Sequence, residues 1–178
     1  VIRHVPNALT ILRLFSVPLT VWLMATGTMG GAFWLFVAAG VTDAVDGAVA
    51  RVFDARSRLG MWLDPLADKV LLVAIFVTLG AQGHLPAWLV VLVVLRDVLI
   101  VLYALVWSHS GTPLFISKVN TAAQLTLAAL VLARLGPDWG SPAAEDLMVA
   151  VVAVTTIASG TAYLVAACRT GRKKGKSD

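Results

Sequence analysis

Cysteine is nearly absent from this chain. Its 178 residues include one, Cys168, which excludes an internal disulfide and any zinc site built from several cysteines. Charge is scarce as well: 13% of the residues are Asp, Glu, Lys or Arg, against roughly 25% in soluble domains. So few polar groups could not cover the surface of a soluble fold of this length, and a disordered chain needs the opposite composition. Apolar residues fill the space instead. They make up 59% of the chain, and mean hydropathy is +0.87. This composition calls for several membrane helices and leaves no room for a large soluble domain.

A helix of about 20 apolar residues crosses a bilayer core of roughly 30 Å. Six stretches meet that requirement: Ala8–Ala25, Ala32–Ala50, Gly60–Leu79, Ala87–Trp107, Leu114–Arg134 and Leu147–Ala167. Clusters of helix breakers separate them, with Gly27, Gly30 and Gly31 in one gap, Gly80, Gly83 and Pro86 in another. Ser108, Ser110, Gly111 and Pro113 mark a third, and Gly136, Pro137, Gly140 and Pro142 the last. The expected fold is an all-α membrane protein of six transmembrane helices, a single domain over residues 1–178 with a basic tail at 169–178. The first stretch reads as a span and not as a cleaved leader, because Asn7, Thr10 and Arg13 interrupt it.

Basic residues occupy alternate connections: Arg3 at the start, Arg51, Arg56 and Arg58 after the second stretch, and Lys118 after the fourth. The tail adds Arg169, Arg172, Lys173, Lys174 and Lys176. The positive-inside rule therefore places both termini in the cytoplasm, and the tail reads as a membrane anchor and not as a nucleic-acid site. Trp22, Trp34, Trp62, Trp88, Trp107 and Trp139 fall mostly near span ends, as an aromatic belt requires. His4, His84 and His109 read as uninvolved in chemistry.

Asp43, Asp46, Asp64, Asp68 and Asp97 lie in or beside apolar stretches. A charge at the bilayer centre costs about 2.5–3.5 kcal/mol on insertion scales, so such residues mark function by default. Asp43 and Asp46 are three apart, Asp64 and Asp68 four apart, so each pair shares a helix face. If the two helices are antiparallel neighbours, four carboxylates converge at the cytoplasmic surface. Protons or divalent cations must neutralise them. Oxygen donors without Cys or a nearby His favour Mg²⁺, Mn²⁺ or Ca²⁺, and four carboxylates can hold two metals about 3.5–4 Å apart for phosphoryl chemistry. Gly47, Ala50 and Gly60 suit either close ligand approach or helix packing. Arg51 suits either a phosphate or the positive-inside rule. Ion transport is the other use of intramembrane aspartates, but it calls for carboxylates spread over depth and often for inverted repeats.

Together these residues spell Asp43-x2-Asp46-Gly47-x2-Ala50-Arg51-x8-Gly60-x3-Asp64-x3-Asp68. The pattern fixes eight positions over 26 residues and resembles the signature of the CDP-alcohol phosphatidyltransferase family. The resemblance implies that Asp43, Asp46 and Asp64 ligate two divalent cations, Mg²⁺ or Mn²⁺. It makes Asp68 the general base, which also borders the metals, and brings Gly47 and Arg51 to the cytidine diphosphate. It implies a six-helix homodimer whose polar cavity opens at the cytoplasmic membrane surface, in a bacterial inner membrane or facing the matrix in a mitochondrial one. The donor would be CDP-diacylglycerol.

The acceptor is less plainly written. Asn7, Thr10 and Arg13 form a stripe that lines the pocket or starts an interfacial helix. Arg96-Asp97 forms an internal ion pair or an anion site. Lys118 binds an acceptor phosphate or anchors its helix at the interface, and Asn120, Thr121 and Gln124 serve as substrate contacts or interhelical hydrogen bonds. Arg96-Asp97-Val98, the run Ile116–Gln124 and Gly171-Arg172-Lys173 are similar to the branch of eukaryotic-type cardiolipin synthases, which implies phosphatidylglycerol as acceptor and CMP as the product released. The phosphatidylglycerophosphate-forming branch, with glycerol 3-phosphate as acceptor, is the alternative.

Overall fold

Long runs of Leu, Val and Ala with few internal breakers can satisfy their backbone polar groups in lipid only as helices. The computed structural model describes the backbone of residues 5–53, 60–106 and 115–174, and the side chains of 15–42, 69–102 and 115–165. Six helices form in chain order: α1 (Val5–Ala25), α2 (Met29–Phe53), α3 (Gly60–Ala81), α4 (Ala87–Val106), α5 (Phe115–Leu135) and α6 (Pro142–Lys174).

Local chemistry sets the helix ends. Gly27 takes a φ of 79° and Gly83 a φ of 77°, a left-handed conformation that costs glycine little. At α1 the Thr28 amide donates to the Leu23 carbonyl (2.8 Å) and that of Gly27 to Met24 (3.2 Å). The end of α3 repeats this, with His84 donating to Leu79 (2.9 Å) and Gly83 to Gly80 (3.1 Å). Both are Schellman caps, and His84 serves one of them through its backbone. Asp138, with φ 61°, makes the turn after α5. The Ser141 carbonyl accepts the first amides of α6, from Ala144 and Glu145, and Pro142 follows it where a missing N–H costs nothing.

Several boundaries differ from the sequence reading, most at α6 and at the start of α2. Helix α6 starts at Pro142, before the apolar stretch, because Ser141 and Pro142 cap it. It also runs on to Lys174, so much of the basic tail is helical. Gly30 and Gly31 belong to the first turn of α2 and not to the gap.

The helices alternate in direction. At one end the Gln82 side chain donates to the Met24 carbonyl (2.9 Å), Trp34 meets Trp139 edge-on with centroids 5.9 Å apart, and Arg134 donates to Glu145 (2.5 Å). The other end holds the start of α3, α5 and α1 and the finish of α2, α4 and α6. Helix α1 packs on α2 and α3, α5 on α6, α2 and α3, and α4 on α6 and α3. Among the described residues α2 and α3 share α1 and α5 as packing partners.

The core is a seam of Met24, Phe76, Leu79, Leu89, Leu127 and Leu132, all buried. Elsewhere large apolar side chains face outward, including Leu95 at 58% and Val154 at 66% exposure. A soluble surface does not carry so many. By length and composition, Phe115–Leu135 and Pro142–Val165 are long and apolar enough to cross a membrane, judged on the described residues. Trp22, Trp34, Trp88 and Trp139 are exposed, and all four lie at the end carrying the α1–α2, α3–α4 and α5–α6 turns.

Candidate functional site

The opposite end carries the polar residues. Positions 43 and 46 belong to the last part of α2, and positions 64 and 68 to the first part of α3. The side chains of Asp43, Asp46, Asp64 and Asp68 lie outside the described residues, as do those of Asn7, Thr10, Arg13, Gly47, Ala50, Arg51 and Gly60. Among the described residues no group of three His, Cys, Asp or Glu side chains could hold a metal ion. The aspartate positions themselves supply oxygen donors at helix-face spacing, a donor set that fits a hard divalent cation.

One residue beyond Asp68, the described side chains begin with a charged network. Lys69 on α3 donates to Asp97 Oδ1 on α4 (3.1 Å). The same oxygen accepts from Arg96 Nη1 (2.6 Å). Arg96 Nη2 donates to Ser117 Oγ on α5 (2.6 Å) and to Ser159 Oγ on α6 (2.6 Å), and Nε also reaches Ser159 (3.2 Å). Four helices thus meet on two adjacent residues. Arg96 is 3% exposed and Asp97 7%. Buried charges persist only when paired and hydrogen-bonded, and the planar guanidinium fork serves three partners at fixed angles as an ammonium could not. Of the two readings of Arg96-Asp97, the internal ion pair is the one this geometry describes.

The network continues along the α5–α6 contact. Asn120 Oδ1 accepts from Thr155 (2.8 Å) and Thr156 (2.9 Å), so Asn120 is an interhelical tie. Thr121 bonds within its own helix, to the Ser117 carbonyl (3.0 Å). Asn120 Nδ2 and Gln124 Nε2 are buried with no hydrogen-bond partner. Lys118, beside Ser117, is exposed.

Sequence reasoning passed over Lys69 and Ser159. A lysine inside an apolar stretch needs a partner, and that signal was available for Lys69. Ser159 carries no such signal, since serine is unremarkable in a helix of small residues.

Residues 3–164 match the family model for CDP-alcohol phosphatidyltransferase. A cardiolipin synthase (CMP-forming)/mitochondrial hydrolase fusion protein of Schizosaccharomyces pombe is 35% identical over 97% of this chain and 32% of its own length. A chloroplastic CDP-diacylglycerol–glycerol-3-phosphate 3-phosphatidyltransferase of Oryza sativa is 35% identical over 90% of this chain and 56% of its own. Human cardiolipin synthase (CMP-forming) is 32% identical over 89% of this chain and 60% of its own. The chain therefore spans between a third and three fifths of these relatives. A transporter reading of the aspartates has no support in these matches. The signature on α2 and α3 and a family match over nearly the whole chain agree: this chain belongs to the CDP-alcohol phosphatidyltransferase family.

Proposed function

We propose that the chain is a membrane-embedded cardiolipin synthase. It transfers the phosphatidyl group of CDP-diacylglycerol to a hydroxyl of phosphatidylglycerol and releases CMP. The observation that carries this reading is the complete eight-position aspartate signature, set on the last part of α2 and the first part of α3, in a chain whose relatives include cardiolipin synthases.

Asp43, Asp46 and Asp64, with Asp68 beside them, would hold two divalent cations, Mg²⁺ or Mn²⁺. When bound, such cations neutralise the charge that builds on the diphosphate. Gly47 and Arg51 bind the cytidine diphosphate, with Ala50 and Gly60 leaving room for it. Asp68 takes the proton of the acceptor hydroxyl. That oxygen bonds to the lipid-side phosphorus, the bond from this phosphorus to the bridging oxygen breaks, and CMP leaves with the electron pair. Lys118, exposed on the first turn of α5, meets the acceptor phosphate, and Arg96 stands behind it as the buried cation. Asn7, Thr10 and Arg13 line the pocket from α1. The six helices span the membrane with both termini on the cytoplasmic or matrix side, and two copies pair.

Glycerol 3-phosphate as acceptor is the second reading, favoured by the similarity to the rice phosphatidyltransferase. CMP release by the purified chain, with each acceptor in parallel, separates the two. Release with phosphatidylglycerol alone, abolished by EDTA and by Asp68→Asn, is the expected result. Release with glycerol 3-phosphate alone would keep the chemistry and replace the acceptor. No metal-dependent release with either would remove both readings.

A further inference from the structure

We infer that Lys69 is a positioning residue: its tie to Asp97 sets the rotation of α3 that aims Asp64 and Asp68. The inference rests on the proposed metal role of those aspartates. Its physical basis is the network itself. Asp97 Oδ1 receives Arg96 Nη1 at 2.6 Å and Lys69 Nζ at 3.1 Å. Asp97 is 7% and Arg96 3% exposed, and Arg96 is fixed in turn by Ser117 on α5 and Ser159 on α6. The Asp97 carboxylate is therefore a stationary anchor held by three helices. Among the described residues Lys69 is the member contributed by α3, and its side chain is 30% exposed.

A helix turns 100° and rises about 1.5 Å per residue, so Asp64 and Asp68 follow whatever rotation Lys69 adopts. Helices in lipid lack a strong hydrophobic force to fix their rotation and depend on packing and polar ties. At this end of α3, Lys69–Asp97 is the polar tie to another helix among the described residues. The two ends of the network each adjoin a proposed reacting partner. Lys69 follows Asp68, and Ser117 precedes Lys118. The ion pairs thus also set the spacing between the base on α3 and the acceptor cation on α5. Neither Lys69 nor Asp97 touches substrate in this reading. They act through the neighbours they hold.

The test is Mn²⁺ binding to the detergent-purified full chain, followed by the EPR signal of free Mn²⁺, together with kcat and KM for CDP-diacylglycerol. Outer-shell partners of metal ligands are worth 10–100-fold in metal affinity or activity, so Lys69→Met should raise Mn²⁺ half-saturation and lower kcat by about ten-fold. KM should change little, and Lys69→Arg should restore both affected quantities. Should Lys69→Met fail to fold, Lys69→Gln keeps a polar donor of shorter reach and should show the same two losses. A variant that melts lower yet binds Mn²⁺ and turns over like the parent would overturn the inference, as would failure of Lys69→Arg to rescue. Asp64→Asn separates the two claims. If it leaves Mn²⁺ binding intact, the metal reading of the aspartates fails. If it abolishes binding while Lys69→Met has no effect, only the positioning role fails.

Discussion

Gln124 and Asn120 are one helical turn apart on α5, both fully buried and each with an amide nitrogen that has no hydrogen-bond partner, but the Asn120 carbonyl oxygen is put to use. Asn120 accepts two threonine hydroxyls through Oδ1. Thr155 has further acceptors in the Val151 and Val152 carbonyls (2.8 and 3.2 Å), while the Thr156 hydroxyl depends on Asn120. Gln124 Nε2 has no partner, and an unsatisfied buried donor costs about 1–3 kcal/mol. Replacing such a group by an apolar one of similar shape removes that cost. Gln124→Met is therefore expected to raise the melting temperature in detergent more than Asn120→Leu, which removes an unpaired nitrogen of the same kind but orphans Thr156. A loss of stability in Gln124→Met would mean that its amide holds an ordered water or a ligand oxygen. The sequence allowed either a substrate contact or an interhelical bond at these positions. It could not separate them, because the separating fact is which α6 residues lie opposite.

Between elements, a close backbone approach lies at the end away from the aspartates. A Cβ on Gly136 would sit 2.8 Å from Gly30 Cα and 2.9 Å from the Met29 carbonyl oxygen. Backbone atoms cannot turn aside, and overpacking of this kind costs about 1–3 kcal/mol. At Gly80 the added Cβ would instead meet a methyl of Val90 at 2.7 Å, which a rotamer change can move. Gly136→Ala should thus lower the melting temperature more than Gly80→Ala. Equal losses would show that the α2–α5 contact yields as easily as a side chain. Helix number and most boundaries were legible beforehand, because breakers and apolar length are local signals. The role of Gly136 was not: it reads as a breaker, and its partner Gly30 lies 106 positions away in sequence. That α2 and α3 share α1 and α5 as packing partners was hidden for the same reason. Spacing shows which residues share a face, but not which helix that face meets. The aspartate signature was legible because its eight positions fall within two consecutive helices, whereas the sequence flags Lys69 only as a lysine in need of a partner and Ser159 not at all, and the link between them appears once α4 stands between them.

At the scale of the whole molecule, the basic residues are unevenly divided between the two ends. Among the described side chains the exposed tryptophans Trp22, Trp34, Trp88 and Trp139 lie at the end of the α1–α2, α3–α4 and α5–α6 turns, while Arg51, Lys118, Arg169, Arg172, Lys173 and Lys174 occupy helix positions of the other end. Aromatic belts form at either interface, so tryptophan alone assigns no side. Basic residues do, because their retention on the cytoplasmic face sets orientation. The aspartate positions share the basic end. Single-cysteine labelling tests this arrangement in a Cys168→Ser background. Thr26→Cys, in an exposed turn, should react with a membrane-impermeant maleimide on intact cells or right-side-out vesicles. Ser177→Cys in the tail should react only after permeabilisation. Labelling of both from outside would break the positive-inside assignment. Reversed labelling would place the aspartates on the side away from the cytoplasm and overturn the orientation expected from the basic residues.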